Sequence, residues 1–408
     1  MWPEVSPNAE GYVLDAIRSG RWAISSLYNG ASLYEQRFAK EFAEYLGADF
    51  CIPTDHGSSA LVIALEALGA DHGAEVVIPA MTWTATATAV FRAGLVPVIA
   101  DVDPETGCLT PETIGEAISS RTAAIIVVHW ACVMADIPAI LRVAERNSLA
   151  VIEDAAQAHG AAWEGKRAGT LGHFGCFSMQ HAKVLTCGEG GAVVTSDGAA
   201  ARRLEELRAD SRSYRTVPAM GQLELYESAS IMGANFGIDE ISAALLVAQL
   251  ELLPAQQAKR TANYHLLEDL LAGCDDVTLL RRDPRQDELS LYEVPIIFPR
   301  QRGDTEQLAT SLSSTLGVRV YQPRVPLHRS ALLQPRTKPT LGPLAEHYIQ
   351  RLGQRTFPGA EHLANSAVLL HHSAFLASAE HIHFIAEAVK NAAAHDLSEA
   401  DVLEGNIA

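Results

Sequence analysis

The chain has 408 residues, nearly half of them apolar, with a formal net charge of −18. That length suggests two domains, the apolar share argues against global disorder, and the acidic balance argues against nucleic acid or anionic membranes as partners. The longest apolar runs, such as Ala123–Val128, have strand length and fall far short of a membrane span. The start MWPEVSPNAEGYVLD has no signal-peptide pattern, and the six cysteines are scattered without a C-x-x-C pair, as reduced thiols of a cytoplasmic protein would be.

In chain order, Ser58–Leu68 reads as a helix opening on a serine pair directly after His56-Gly57. Apolar β-branched runs follow at Glu75–Pro79, Leu95–Ala100, Ala123–Val128 and Ala150–Glu153, with helical spacing at Thr82–Ala93, Pro111–Ile118 and Ile137–Asn147 between them. This βαβ alternation predicts an α/β fold with a mostly parallel sheet covered on both faces. Two further β-like segments, Cys176–Met179 and Ala192–Thr195, bracket a lysine and the turn Gly188-Glu189-Gly190-Gly191. A long helix, Asp239–Leu253, is expected to end at Pro254, where the domain boundary is placed. Beyond it lie a helix at Ala258–Leu271, an apolar run Val294–Phe298 and a proline-rich stretch Tyr321–Pro343, with a polar tail from Asp396.

Ligands of open α/β sheets collect at the carboxyl ends of the strands, and candidate groups stand at three such ends. Gly57-Ser58-Ser59 offers free N–H groups, a helix dipole and hydroxyls, which suit a phosphate, although capping is the commoner role of a serine there. Asp154 ends an apolar strand, and a carboxylate there requires a protonated ring nitrogen, an arginine or a backbone nest. Lys183 on its tight turn is either an exposed hairpin lysine or a partly desolvated amine aimed at a carbonyl. Phosphate cradle, strand-end Asp and turn lysine together follow the order of a pyridoxal-phosphate enzyme.

The segments VVIPAMTWTATATAV, ADVDPETGCLTPETI, VIEDAAQAHGA and GCFSMQHAKVLTCGEGGAVVT resemble the sugar aminotransferases often named after DegT, DnrJ and StrS, from about Leu33 to beyond Ala244. The resemblance implies a type I aminotransferase fold, with a mainly parallel seven-stranded sheet in a large pyridoxal-phosphate domain and a smaller C-terminal α/β domain; with the boundary at Pro254 and the polar tail these are 1–254 and 255–395, followed by a flexible tail at 396–408. It also implies a homodimer with shared active sites. It makes Lys183 the imine-forming catalytic lysine and Asp154 the partner of the pyridine nitrogen. Trp83 stacks on the cofactor, Gln157 lies at its hydroxyl side, Ser58, Ser59 and Ser178 bind its phosphate, and Asn235 reaches the phosphate of the neighbouring subunit. His159 stands either near substrate or as a structural histidine. His371-His372 and His381-x-His383 read as packing or surface residues, so no metal is expected.

Within the family, Tyr321–Pro339, the SMQ preceding the lysine region and Leu369–Ser378 are similar to the aminotransferases that act on cyclitols in aminoglycoside biosynthesis. That likeness implies L-glutamine as amino donor and scyllo-inosose, 2-deoxy-scyllo-inosose or a related keto-cyclitol or keto-sugar as acceptor. Two departures bear on the acceptor: Trp130-Ala131-Cys132 stands where the family usually reads Leu-Tyr-Gly, and Gly237 stands where many members carry Arg. Two rival readings share these motifs. One is a same-fold enzyme catalysing dehydration or aromatisation, as aminohydroxybenzoate synthases do. The other is a non-catalytic cofactor-binding partner protein.

Overall fold

The computed structural model describes residues 2–299, 305–353 and 355–394. The expected tail from 396 lies outside the described residues. A seven-stranded sheet is built from β1 (Phe50–Thr54), β2 (Glu75–Pro79), β3 (Val96–Ala100), β4 (Thr122–Val128), β5 (Ala150–Asp154), β6 (Phe174–Ser178) and β7 (Gly191–Thr195). The spatial order is β1-β7-β6-β5-β4-β2-β3, and only β7 runs against its neighbours. The chain is therefore the mainly parallel type I fold, with the expected strands found to within a residue or two.

Helices clothe both faces, as a sheet of largely buried strands demands. They are α1 (Ala9–Ser19), α2 (Tyr34–Leu46), α3 (Gly57–Ala67), α4 (Thr84–Arg92), α5 (Pro111–Ala117), α6 (Ile137–Arg146), α7 (Gly198–Arg208) and α8 (Glu240–Leu271). Alternate residues of β6 and β7 point to opposite cores. Phe177 and Val194 pack with Phe38, Phe42 and Leu246, whereas Cys176 and Val193 join Ile63, Ile78 and Ile152. Helix starts are set by local chemistry. Thr110 and Thr113 cap each other's backbone N–H ahead of Pro111, and the Asp136 carboxylate accepts from Ala139 N at 2.9 Å.

The expected helix end at Pro254 is not there: α8 runs straight through it for 32 residues. An interior proline costs about 3 kcal/mol. Tertiary packing on both sides outweighs that cost. The first half of α8 lies on α1 and α2, and its second half on α12 (Ala379–Ala394). Pro254 itself is exposed, where a gap in the hydrogen-bond ladder is least costly.

After α8 comes an antiparallel sheet of β8 (Thr278–Leu279), β9 (Glu293–Ile297), β10 (Val320–Tyr321) and β11 (Ala367–His371), in the order β8-β9-β11-β10. Three helices accompany α12 here: α9 (Thr305–Leu316), α10 (Gly342–Leu352) and α11 (Pro358–Ser366). The proline-rich stretch resolves into β10 and short 3₁₀ turns. Among the described residues no helix is long and apolar enough to cross a membrane.

Candidate active site

The carboxyl ends of β1, β5 and β6 converge on a cavity of about 430 Å³, within the usual range for small-molecule sites. Its floor depends on two close backbone approaches. A Cβ on Gly57 would lie 2.6 Å from the Ser178 Cβ, and one on Gly191 would lie 2.4 Å from the His56 carbonyl carbon. Lacking side chains, these glycines let the N-terminus of α3 sit directly on β6 and β7. Ser58 and Ser178 consequently line the same end of the cavity. Free N–H groups and the helix dipole make that end attractive to an anion.

Asp154 stands at the end of β5, only 8 % exposed. Its Oδ2 accepts from the Thr86 hydroxyl at 3.0 Å, and Thr82 donates in turn to Thr86 at 2.8 Å. Its Oδ1 accepts from Ala156 N at 3.3 Å. Burial pushes this carboxyl upward, opposed by the Lys183 charge and by these donors. Among the described residues no cation pairs with it within salt-bridge distance. Gln157 turns its Oε1 to Ala131 N at 2.7 Å, and among the described residues its NH₂, which lines the cavity side, has no hydrogen-bond partner.

The loop from Met179 to Gly190 holds Lys183. Met179 N donates to Gly190 O, His181 N to Gly188 O and Lys183 N to Gln180 O, each at 2.8 Å. The loop closes through Gly188 at φ +94°, a conformation that suits glycine. The Lys183 Nζ lies 3.9 Å from the centre of the Tyr292 ring. Burial pulls its pKa from 10.5 down to about 8, partly offset by the negative charges of Glu293 and Asp154. Near neutral pH a useful fraction of this amine is therefore unprotonated and nucleophilic.

The opposite wall comes from the C-terminal sheet: Tyr292, Glu293, Arg319 and Arg324. The Arg324 guanidinium covers the Trp83 indole at 4.1 Å, and that of Arg319 covers the Tyr321 ring at 4.7 Å. Tyr321 donates its hydroxyl to Glu293.

The sequence profile of the DegT/DnrJ/EryC1/StrS aminotransferase family matches residues 13–390. The chain belongs to this family. Among relatives of the family, an L-glutamine:2-deoxy-scyllo-inosose aminotransferase from Micromonospora echinospora is 43% identical over 92% of this chain and 90% of its own. An L-glutamine:scyllo-inosose aminotransferase from Streptomyces griseus is 40% identical, covering 95% of this chain and 93% of that one. The crystal structure of 3-amino-5-hydroxybenzoic acid synthase superposes with a TM-score of 0.81 at 30% identity, covering 97% of this chain and 98% of that one.

Membership of the DegT/DnrJ/EryC1/StrS family makes the protein a transaminase and implies dependence on pyridoxal phosphate. The cavity fits that group. It offers a buried carboxylate without a cation of its own, an anion-binding helix start, an exposed indole at Trp83 and a lysine of lowered pKa. Ser58, Trp83, Asp154, Gln157, Ser178 and Lys183 all line it. Ser59 is buried behind the first turn of α3 and Asn235 is exposed, and neither lines this cavity. His159 is wholly buried against Phe177, away from the lining, and burial holds its pKa down to about 3.

Of the two departures from the family pattern, Trp130 joins the cavity wall, and Gly237 packs against Ile24 outside it. Ala131 adopts φ +59°, costly for a non-glycine residue. Its N–H serves Gln157 and its carbonyl accepts from Tyr292 N at 3.3 Å, so this one turn ties the two walls together.

Glu153 and His129, which sequence reasoning passed over, and His372, which it read only as a packing or surface residue, support the site. Glu153, fully buried, accepts from Gly169, Leu171 and Gly172 N–H at 2.8, 2.7 and 2.6 Å and pairs with His129 at 2.9 Å. Ala135 N donates to the His129 Nδ1, which leaves the Nε2 proton facing Glu153. His372 Nε2 donates to the carbonyl of Ala182, next to the lysine, at 3.1 Å. A buried carboxylate beside a functional one was a visible signal for Glu153. His372 gave none, because its contact spans 190 residues.

Proposed function

We propose that the protein moves the amino group of L-glutamine to a keto-cyclitol of the scyllo-inosose or 2-deoxy-scyllo-inosose type, in aminoglycoside-like biosynthesis. The observation that carries this reading is the buried Asp154 carboxylate opening onto the same cavity as the pKa-lowered Lys183. The relatives at 43% and 40% identity favour the cyclitol acceptor.

When bound, pyridoxal phosphate supplies a carbonyl for amine exchange and an electron sink that acidifies the donor Cα–H. Ser58, Ser178 and the N–H groups at the start of α3 would hold its phosphate, Trp83 would stack on the ring, and Gln157 would donate to the ring's oxygen. Asp154, its carboxylate fixed by Thr86 and Thr82, would keep the ring nitrogen protonated. The Nζ of Lys183 takes the proton from the donor Cα and later returns one to the product carbon, as general base and then acid. Burial beneath Tyr292 and Trp130 excludes water from the carbonyl chemistry.

The exposed Asn235 reaches the phosphate of the neighbouring subunit in a homodimer. The cytoplasm is the setting that the free thiols suit. Residues 1–254 and 255–395 form the proposed large and small domains, sharing the continuous α8.

The test is a screen of keto-cyclitols and nucleotide keto-sugars against glutamine and glutamate, with the aminated product identified by mass. Turnover of a scyllo-inosose-type ketone with glutamine supports the proposal, and turnover only of nucleotide sugars refutes it. The likeness to the 3-amino-5-hydroxybenzoic acid synthase favours a second reading, dehydration with aromatisation. That reading predicts an aromatic product and no lasting amination of the cofactor by any amino acid.

A further inference from the structure

The transamination reading leaves one choice open that the C-terminal wall can make: which of two nearly isosteric amino acids donates the amine. Glu293 begins β9, 6 % exposed, and lines the cavity. Its Oε1 is tethered by the Tyr321 hydroxyl, and its Oε2 meets no donor among the described residues. Burial pushes this carboxyl up, while Tyr321 and the charges of Lys183, Arg324 and Arg319 pull it back toward the ionised form. Arg319 and Arg324 line the same wall, each held on an aromatic face, and among the described residues neither is ion-paired with a carboxylate.

The charges of this wall can be counted. Two guanidiniums face one carboxylate, so there is room for one further negative charge. The α-carboxylate of an amino donor fills it, pairing through the N–H fork of a guanidinium. A second carboxylate on the donor would then have no guanidinium left on this wall and would meet Glu293 in a cavity walled by Trp130 and Tyr292. Like charges in such surroundings repel strongly. A carboxamide there brings two N–H donors and no charge, and the free Oε2 can accept one of them.

We infer that Glu293 is a specificity-determining residue that selects glutamine over glutamate, accepting the donor's carboxamide N–H while Arg319 and Arg324 take its α-carboxylate. The inference rests on the transamination reading above and deepens it. Recognition of a neutral side chain is thus achieved by placing a negative group against the charged competitor, a repulsive device added to an attractive one.

The experiment is single-turnover amination of the cofactor-loaded enzyme by L-glutamine and by L-glutamate, followed by absorbance across donor concentrations. It compares wild type, Glu293→Gln and Tyr321→Phe. Glu293→Gln preserves shape and can still accept from Tyr321, and its amide can donate to a γ-carboxylate. The glutamine-to-glutamate ratio of rate over apparent Kd should fall by at least about tenfold, chiefly through a gain on glutamate. Tyr321→Phe, which only loosens the carboxylate, should weaken glutamine without improving glutamate. Binding of α-methyl-glutamine and α-methyl-glutamate, which lack the transferable Cα–H, should shift in the same sense and serves if Glu293→Gln reacts too slowly. An unchanged ratio in Glu293→Gln overturns the inference alone, as does a loss confined to the acceptor half-reaction, which would assign Glu293 to ketone hydroxyls. Wild type aminated by neither donor overturns the transamination reading, and the inference with it.

Discussion

The two walls of the cavity are built differently. The sheet wall carries Ser58, Asp154, Gln157, Ser178 and Lys183 at strand ends and turns of one mainly parallel sheet, with Asp154 and Gln157 held by hydrogen bonds from Thr86 and Ala131 N and the Lys183 loop held by backbone bonds. The C-terminal wall carries Tyr292, Glu293, Arg319 and Arg324 on short antiparallel strands and their flanks, with guanidiniums resting on rings. The first arrangement holds a cofactor and moves a proton at a fixed point, which needs rigidity. The second presents charge to whatever enters, and changing it should alter choice before it alters chemistry.

The largest expected effect tests the sheet wall. Lys183→Ala should lower turnover by about 10⁴-fold or more, the upper range of general acid–base catalysis. Its melting temperature in the cofactor-free form should hardly move, because among the described residues the Nζ makes no hydrogen bond or ion pair. Full activity in this variant would remove the wall's assigned role.

Asp154→Asn comes next. The amide can still accept from Thr86 but brings no charge to the ring nitrogen, so kcat should fall by roughly 10²–10³-fold, as for loss of one preorganised electrostatic group. The measurement is kcat together with cofactor retention after dialysis. A smaller effect than from any change on the C-terminal wall would reverse the contrast drawn between the two.

On the C-terminal wall, Arg324→Ala should raise the donor KM by roughly 10–100-fold, the worth of one hydrogen bond to a charged group. The kcat should change much less, and the ratio of the two effects separates binding from chemistry.

The smallest effect is a matter of pH. With its pKa lowered from 10.5 to about 8 by burial, Lys183 is neutral above that pH and cationic below it. Only the neutral amine attacks a carbonyl. The rate of cofactor uptake by cofactor-free protein should therefore climb with rising pH and level off above about 8. A climb that continues toward 10.5 would place the lysine in ordinary solvent.

The same contrast governs what the sequence makes legible. The sheet wall is encoded in contiguous stretches, because each strand end and its following turn supply a functional residue and its support together: Asp154 with Gln157, Ser178 with Lys183. The parallel sheet was equally readable, since strands buried on both faces are continuous apolar runs. The C-terminal wall gathers residues from 292 to 324 across separate elements. Glu293 was missed, although a carboxylate opening the apolar run Val294–Phe298 is the same kind of signal that marked Asp154. Arg324 lay in a stretch marked for substrate choice but was not singled out, because stacking on Trp83 joins positions 241 residues apart. Pro254 misled for a different reason: local propensity predicted a helix end, and packing on both halves of α8 overrode it.

The most direct test is a pair of half-reactions on the cofactor-loaded enzyme. L-Glutamine should aminate one equivalent of bound cofactor per site and release one equivalent of keto acid. Subsequent addition of 2-deoxy-scyllo-inosose or scyllo-inosose should restore the starting spectrum and yield one equivalent of amino-cyclitol. Failure of every amino acid to aminate the cofactor, with the cofactor demonstrably bound, would contradict the account.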